Sequence, residues 1–313
     1  MKALQYHRYG QTDQLSLNDI PIPKPRAKEV LVKLHYTSLN ASDWEFLTGR
    51  PAYARVRGLF RPRKKILGSD IAGTVEAVGN KVTEFQVGEA VFGDIIMQGG
   101  GLAEYVCAPE KLLVHKPEAL SFREASLLPQ AGVVALQGIV DKGKVQAGQK
   151  ILINGGGGGS GTFAIQMAKN IGAEVTAVDN AEKQEIMREL GADHVLDYRK
   201  TDFAATGEQY DYILDLWATR AMGKVRRALK PEGRYLLVGG HMRMLFGALL
   251  SGRKTGLLAV NPKKKDWMQL AEMVVEGKLK TILDREFSME EAPEALDYLG
   301  NGHAKGKIVV RIR

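Results

Sequence analysis

Apolar and polar positions change rhythm twice along the 313-residue chain. Before about residue 115 the runs are short and rich in β-branched residues. Val30–His35 and Ala72–Val78, bounded by turn formers, predict strands, and Ala90–Ile95 and Ala103–Ala108 extend the set. Pro21, Pro23 and Pro25 predict an extended edge, because proline has no N–H to give a helix or ladder. Near Leu120 the rhythm changes. Ser121-Phe-Arg-Glu124 is a capping box, and Ala125–Val140 behind it predicts a largely buried helix. Lys150–Asn154, Glu174–Val178, His194–Leu196, Tyr212–Leu216 and Tyr235–Val238 then read as strands. Helices are expected between them at Thr162–Ile171, Ala181–Leu190 and Ala221–Leu229. Such alternation implies a parallel sheet covered on both faces. The tail breaks it again: Asp266–Glu276 reads as helix, Ser288-Met-Glu-Glu291 is a second capping box, and Lys307–Ile312 is a closing strand. A lone terminal strand needs a sheet to join, so the tail is expected to return to the amino-terminal β region.

Charge adds a second pattern. The net charge is +8. Arg50–Ile66 holds Arg50, Arg55, Arg57, Arg61, Arg63, Lys64 and Lys65 and no acid. Gly233–Lys265 holds Arg234, Arg243, Arg253, Lys254, Lys263, Lys264 and Lys265, again without an acid. Solvated loops, or attraction of an anionic cofactor or substrate, account for such segments. Neither carries a recognised motif of a nucleic-acid binder, so no nucleic-acid partner is expected. The single cysteine, Cys107, excludes an internal disulfide framework and a multi-cysteine zinc site. A reducing, cytoplasmic setting fits that composition. The start, MKALQYHRYG, lacks the apolar core of a signal peptide, and no run of 18 apolar residues exists to span a membrane. No membrane partner is expected.

The glycine excess concentrates at one place. Ile151-Leu-Ile-Asn154 runs into Gly155-Gly-Gly-Gly158-Gly159-Ser160-Gly161 and then into an apolar helix. Strand, glycine turn, helix is the order a nucleotide pyrophosphate needs, with backbone amides at close range and the positive end of a helix aimed at it. A Walker phosphate loop is excluded, because Thr162 follows Gly161 with no lysine between. Asp179 closes the next strand 18 residues beyond Gly161, where an acid accepts from ribose hydroxyls and favours NAD. Lys183, Tyr198 and Arg199 stand against this, since they suit a 2′-phosphate.

Several short motifs, in order, give the chain a family likeness. They are Val30-Leu-Val-Lys33, Ser38-Leu-Asn40-Ala-Ser-Asp43, Ile66-Leu-Gly-Ser-Asp-Ile-Ala-Gly73, Val75-Glu-Ala-Val-Gly79, Val87-Gly-Glu89, Val91-Phe-Gly93, Leu102-Ala-Glu-Tyr-Val106, Leu128-Pro129, the glycine turn, Leu190-Gly-Ala-Asp193 and Gly306-Lys-Ile-Val309. Through them the chain resembles the zinc-independent quinone oxidoreductase branch of the medium-chain dehydrogenase/reductase superfamily over nearly its whole length. The resemblance implies an α/β protein: a GroES-like catalytic domain of residues 1-120 and 265-313, and a Rossmann domain of residues 121-264. It further implies hydride transfer from NADPH or NADH to quinones or activated alkenes and carbonyls, often in a homodimer. Many such relatives use NADPH, and Lys183 with Tyr198 matches their phosphate-contacting pattern.

Departures from the zinc-dependent relatives set the expected chemistry. Asn40 stands where they place a catalytic cysteine, Gly68-Ser69-Asp70 replaces their Gly-His-Glu, and Pro129–Gly132 has no cysteine. No zinc is therefore expected. Asn40 is the leading donor to a substrate oxygen, with Ser69 second, while Asp43 and Asp70 are expected to make structural hydrogen bonds. Val238-Gly239-Gly240 is expected to approach the nicotinamide, with Gln130 and Ala131 on the same edge. Two other readings stay open: an alcohol dehydrogenase working without zinc, and a nucleotide-binding protein with a non-catalytic role.

Overall fold

A computed structural model describes residues 1–239, 247 and 255–313. Two compact units divide the chain. The first comprises Met1–Gln130, Pro262–Gly277 and Leu283–Arg313, and the second Ala131–Asn261 with Lys278–Ile282.

The first unit is built on strands β1 (Lys2–Tyr6), β2 (Leu15–Asp19), β3 (Glu29–Leu39), β4 (Asp70–Val78), β5 (Ala90–Asp94), β6 (Tyr105–Pro109) and β7 (Leu113–His115). Strands β8 to β13 belong to the second unit, and β14 (Leu283–Ser288) and β15 (Lys307–Arg311) return to the first. β1 and β2 pair as a hairpin, and the main sheet runs β14-β15-β3-β4-β5-β7 with β6 also on β3. The side-chain period of two puts Val30, Val32 and Leu34 of β3 on one face, where they pack with Ile71, Val75, Val91 and Val106. β15 lies antiparallel to β3 and pairs Ile308 with Leu39, so the closing strand does rejoin the amino-terminal sheet. This register brings Lys307 to the end of β3. Ser38 pairs with Asp70, and Asp70 with Asp94, so three polar residues form one row across three strands.

The expected helix over 125–140 is interrupted. α1 is Ala41–Thr48, α2 is Phe122–Leu127, α3 is Pro129–Leu136, and a π-helical turn covers Gln137–Asp141. Pro129 has no N–H to continue α2, and it opens α3 in the first helical position. The Ser121 capping box is formed: Ser121 N–H donates to Glu124 Oε2 at 2.9 Å, and Glu124 N–H to Ser121 Oγ at 3.1 Å. α2 packs on β3 and β4, and Ser38 Oγ donates to the Ser126 carbonyl at 2.7 Å. The first unit therefore runs on to Gln130, past residue 120. Lys278–Ile282 joins the second unit because Gln166 Nε2 donates to the Lys280 carbonyl at 3.0 Å and Asn170 Nδ2 to that of Lys278 at 2.8 Å.

The second unit holds β8 (Lys150–Asn154), β9 (Glu174–Asp179), β10 (His194–Asp197), β11 (Tyr210–Asp215), β12 (Leu229–Leu237) and β13 (Thr255–Leu257). All pair in parallel in the order β10-β9-β8-β11-β12-β13, with α4 (Gly159–Ile171), α5 (Gln184–Glu189) and α6 (Met222–Arg227) between strands. This is the 3-2-1-4-5-6 order of a Rossmann sheet, in which ligands bind beyond the carboxyl ends where the order reverses, here after β8. Among the described residues no helix is long and apolar enough to cross a membrane.

Candidate functional site

The glycine turn leaves β8 at that switch point. Gly155 needs its positive φ of 90°, and its N–H donates to the Val178 carbonyl at 2.8 Å. A Cβ on Gly156 would lie 2.9 Å from Ala177 Cβ, one on Gly157 2.5 Å from Lys183 Cβ, and one on Gly161 2.1 Å from the Gly155 carbonyl oxygen. The protein's own packing thus requires glycine at these three places. Gly158 differs: a Cβ there meets only the Gly155 carbonyl oxygen, at 3.6 Å. Among the described residues nothing else comes within 4 Å of that position. Gly158 is the N-cap of α4 and offers no side-chain cap, so the first-turn amides of Gly159, Ser160 and Gly161 have no helical acceptor. Free amides, a helix N-terminus and a cradle without side chains fit a dinucleotide pyrophosphate.

Asp179 lies at the end of β9 and holds this turn. Its Oδ2 accepts from Gly157 N–H at 3.0 Å and its Oδ1 from Asn180 N–H at 2.9 Å. Lys183 Nζ sits 3.5 Å from the same carboxylate, and both side chains are largely buried. Tyr198 N–H donates to the Asp179 carbonyl at 3.0 Å, while its ring is exposed and the Arg199 guanidinium lies 5.7 Å from the ring centroid. Val238 N–H donates to the Asp215 carbonyl at 2.9 Å, and Gly239 takes a φ of 63°, on the same sheet edge. Gly240 lies outside the described residues. The second unit therefore brings together the glycine turn, Asp179, Lys183, Tyr198, Val238 and Gly239. Gln130 belongs to the first unit, where its N–H donates to Asp70 Oδ1 at 3.0 Å and its Oε1 accepts from Ser42 Oγ at 2.9 Å.

The first unit carries a buried polar cluster around Asn40. Asn40 is the N-cap residue of α1, and its N–H donates to Asp43 Oδ2 at 2.9 Å. Its side chain turns elsewhere. Nδ2 donates to Asp70 Oδ2 at 2.9 Å and to Ser69 Oγ at 3.2 Å, and Oδ1 accepts from Lys307 Nζ at 2.5 Å. Both amide hydrogens of Asn40 are thus spent within the protein. Lys307 completes its own set with the Leu39 carbonyl at 3.1 Å and Asp70 Oδ2 at 3.3 Å. Asp43 Oδ1 accepts from Gly68 N–H at 2.9 Å, so Asp43 and Asp70 both make buried structural bonds.

Burial dominates the titration of this cluster. It pushes Asp43 up to about 6, against the two backbone donors and the charge of Arg57. It raises Asp70, opposed by Lys307, and lowers Lys307, opposed by Asp70. Asp94 rises well above the usual carboxylate range through burial and then the charge of Asp70. Arg57 is buried with its guanidinium 3.6 Å from the Phe46 ring centroid, and among the described residues none of its three side-chain nitrogens has a hydrogen-bond partner. Lys307, Asp94 and Arg57 were not singled out from sequence as site residues. Only Lys307 left a signal there: a lysine directly before the apolar run Ile308–Val310. Among the described residues no three or more histidine, cysteine, aspartate or glutamate side chains group to hold a metal.

Comparison with known proteins gives a consistent set. Residues 26–118 match the alcohol dehydrogenase GroES-like domain family, and residues 190–310 the zinc-binding dehydrogenase family. A chloroplastic quinone-oxidoreductase from Triphysaria versicolor is 36% identical over 99% of this chain and 98% of its own. A chloroplastic NADPH-dependent alkenal/one oxidoreductase from Arabidopsis thaliana is 32% identical over 99% of this chain and 79% of its own. Among solved structures, the quinone oxidoreductase from Coxiella burnetii superposes with a TM-score of 0.91 at 31% identity, covering 100% of this chain and 99% of the other.

Proposed function

Because the chain belongs to the quinone oxidoreductase-like branch of the medium-chain dehydrogenase/reductase superfamily, we propose that it is an NAD(P)H-dependent oxidoreductase acting on quinones or on activated alkenes and carbonyls. The observation that carries the reading is the space kept free at Gly158, beside unspent helix amides at the switch point of a parallel sheet. When bound, the dinucleotide supplies the hydride. The amides of Gly159, Ser160 and Gly161 would hold its pyrophosphate, and Val238 and Gly239 would lie towards its nicotinamide end. Asp179 carries Lys183 and two backbone donors on its carboxylate, which offsets its repulsion of a 2′-phosphate. Exposed Tyr198 and Arg199 add attraction, so both NADPH and NADH serve.

On the substrate side Ser69 and Asn40 act together. Ser69, buried beside Asn40, accepts from it and has no acceptor for its own hydrogen among the described residues; we assign that hydrogen to a substrate oxygen. Asn40, fixed by Lys307, is the positioning residue. Zinc has no part, since the neutral amide of Asn40 and hydroxyl of Ser69 are poor zinc donors. A quinone would then take one hydride from the dinucleotide and one proton from water, and leave as hydroquinone. The family resemblance supports a homodimer, and the lone Cys107 agrees with a reducing cytoplasm.

Fluorescence titration with NADH and NADPH, then turnover on quinones and enones with chelator-treated protein, tests this reading. Saturable binding and full metal-free turnover are expected. Binding without turnover on any acceptor would indicate a non-catalytic nucleotide binder, and activity lost with metal a zinc mechanism. Asn40→Ala is expected to lower kcat by about 1–3 kcal/mol in activation energy while leaving the cofactor Kd unchanged. An unchanged kcat and KM would remove Asn40 from the site.

A further inference from the structure

The basic segment Arg50–Ile66 is absorbed by neither unit's chemistry. It forms a 3-10 turn, Ala52–Arg57, then a short tip closed by Arg63 N–H donating to the Arg57 carbonyl at 2.9 Å. Its base is fixed: Tyr9 Oη donates to the Gly58 carbonyl, and Tyr6 N–H to that of Lys65 at 2.9 Å. Within this loop burial is inverted. Arg57 is 6% exposed, whereas Val56 is 68%, Leu59 65% and Phe60 89% exposed. Burying the aromatic ring and releasing the guanidinium would be the ordinary arrangement, so the packed fold does not account for the exposed tip. Directly after the tip in sequence, Arg61, Arg63, Lys64 and Lys65 are exposed, and among the described residues none pairs with a carboxylate. A cavity of about 370 Å³ opens beside them, lined by His7, Arg61, Pro62, Arg63 and Lys65.

We propose that this loop is a membrane-surface anchor: Val56, Leu59 and Phe60 enter the apolar boundary of an anionic phospholipid bilayer, and the cations behind them meet headgroup phosphates, one seated in the cavity. An anionic bilayer offers both chemistries in that order of depth. A second copy of this chain, joined by the same loop on a two-fold axis, would set cations against cations. Nucleic acid offers phosphates, yet aliphatic Val56 and Leu59 have nothing to stack on. The inference does not depend on the oxidoreductase reading, and peripheral attachment needs no spanning helix.

The test is flotation of the full chain with phosphatidylcholine vesicles, with and without about one-third phosphatidylglycerol. Binding is expected only to the anionic vesicles and should weaken as salt rises. Lys64→Gln with Lys65→Gln should weaken it roughly 25-fold, at about fivefold per charge. Leu59→Ser with Phe60→Ser should weaken it about tenfold or more at unchanged melting temperature. Equal binding to neutral vesicles, or undiminished binding by either double variant, would overturn the anchor. So would loss of a dimer in Leu59→Ser/Phe60→Ser protein that never bound vesicles, or tighter binding to a single-stranded RNA oligonucleotide than to vesicles.

Discussion

Asp43 shows how one buried carboxyl ties stability to pH. Its folded pKa, near 6, lies above the ordinary 3.8, so the folded state binds the proton more tightly than the unfolded. Its contribution is fully present below pH 3.8 and is lost as pH rises through about 6, a change of about 3 kcal/mol. Thermal melts of wild type and Asp43→Asn from pH 4 to 8 measure this. The wild type should gain relative to the variant as pH falls, and a constant gap would show that Asp43 does not titrate there. Lys307 and Asp70 make the second residue-scale test. Removing one member of a buried ion pair strands the other, so Lys307→Met should cost about 3–5 kcal/mol in denaturant melts. Adding Asp70→Asn should recover much of that, and a double variant as unstable as the single would mean the pair is not coupled. From sequence, Asn40 was legible as a polar residue in place of a metal ligand. Its donors were not, because they are spent on Ser69 and Asp70, which lie 29 and 30 residues away and meet it only through the β3–β4 register.

The elements that fold through local order read well. The β8–turn–α4 sequence, the Ser121 capping box and the return of β15 to β3 all follow from periodicity, glycine placement and turn chemistry. The helix expected over 125–140 did not, because apolar content suggested continuity where Pro129 breaks it. At this scale the glycines separate two demands. Gly161→Val meets the Gly155 carbonyl and should lower the melting temperature. Gly158→Val meets open space, so it should melt like wild type yet largely lose NADPH quenching. Normal quenching by folded Gly158→Val would refute the cradle. Cofactor choice belongs to the β9 end. Asp179→Ser removes a ribose acceptor and a repelling charge, and should move the kcat/KM ratio towards NADPH by about tenfold, or ~1.4 kcal/mol. A ratio that stays put or moves towards NADH would mean Asp179 does not face the adenine ribose.

For the whole molecule, the two-part composition of the chain was visible in its change of rhythm: strands, then alternation, then a tail of helices with one closing strand. What composition left open was the meaning of its basic segments. The exposed tip at Phe60 gives the first of them a physical use, while Arg243, Arg253 and Lys254 of the second lie outside the described residues. The Rossmann order of the sheet, the glycine cradle and the family membership converge on hydride transfer. Its most direct measurement is mass spectrometry of an enone reduced with NADPH or NADH carrying deuterium at C4 of the transferring face. Deuterium at the β-carbon and solvent hydrogen at the α-carbon are expected. Product without deuterium, or no product with either cofactor across enones and quinones, would contradict the account.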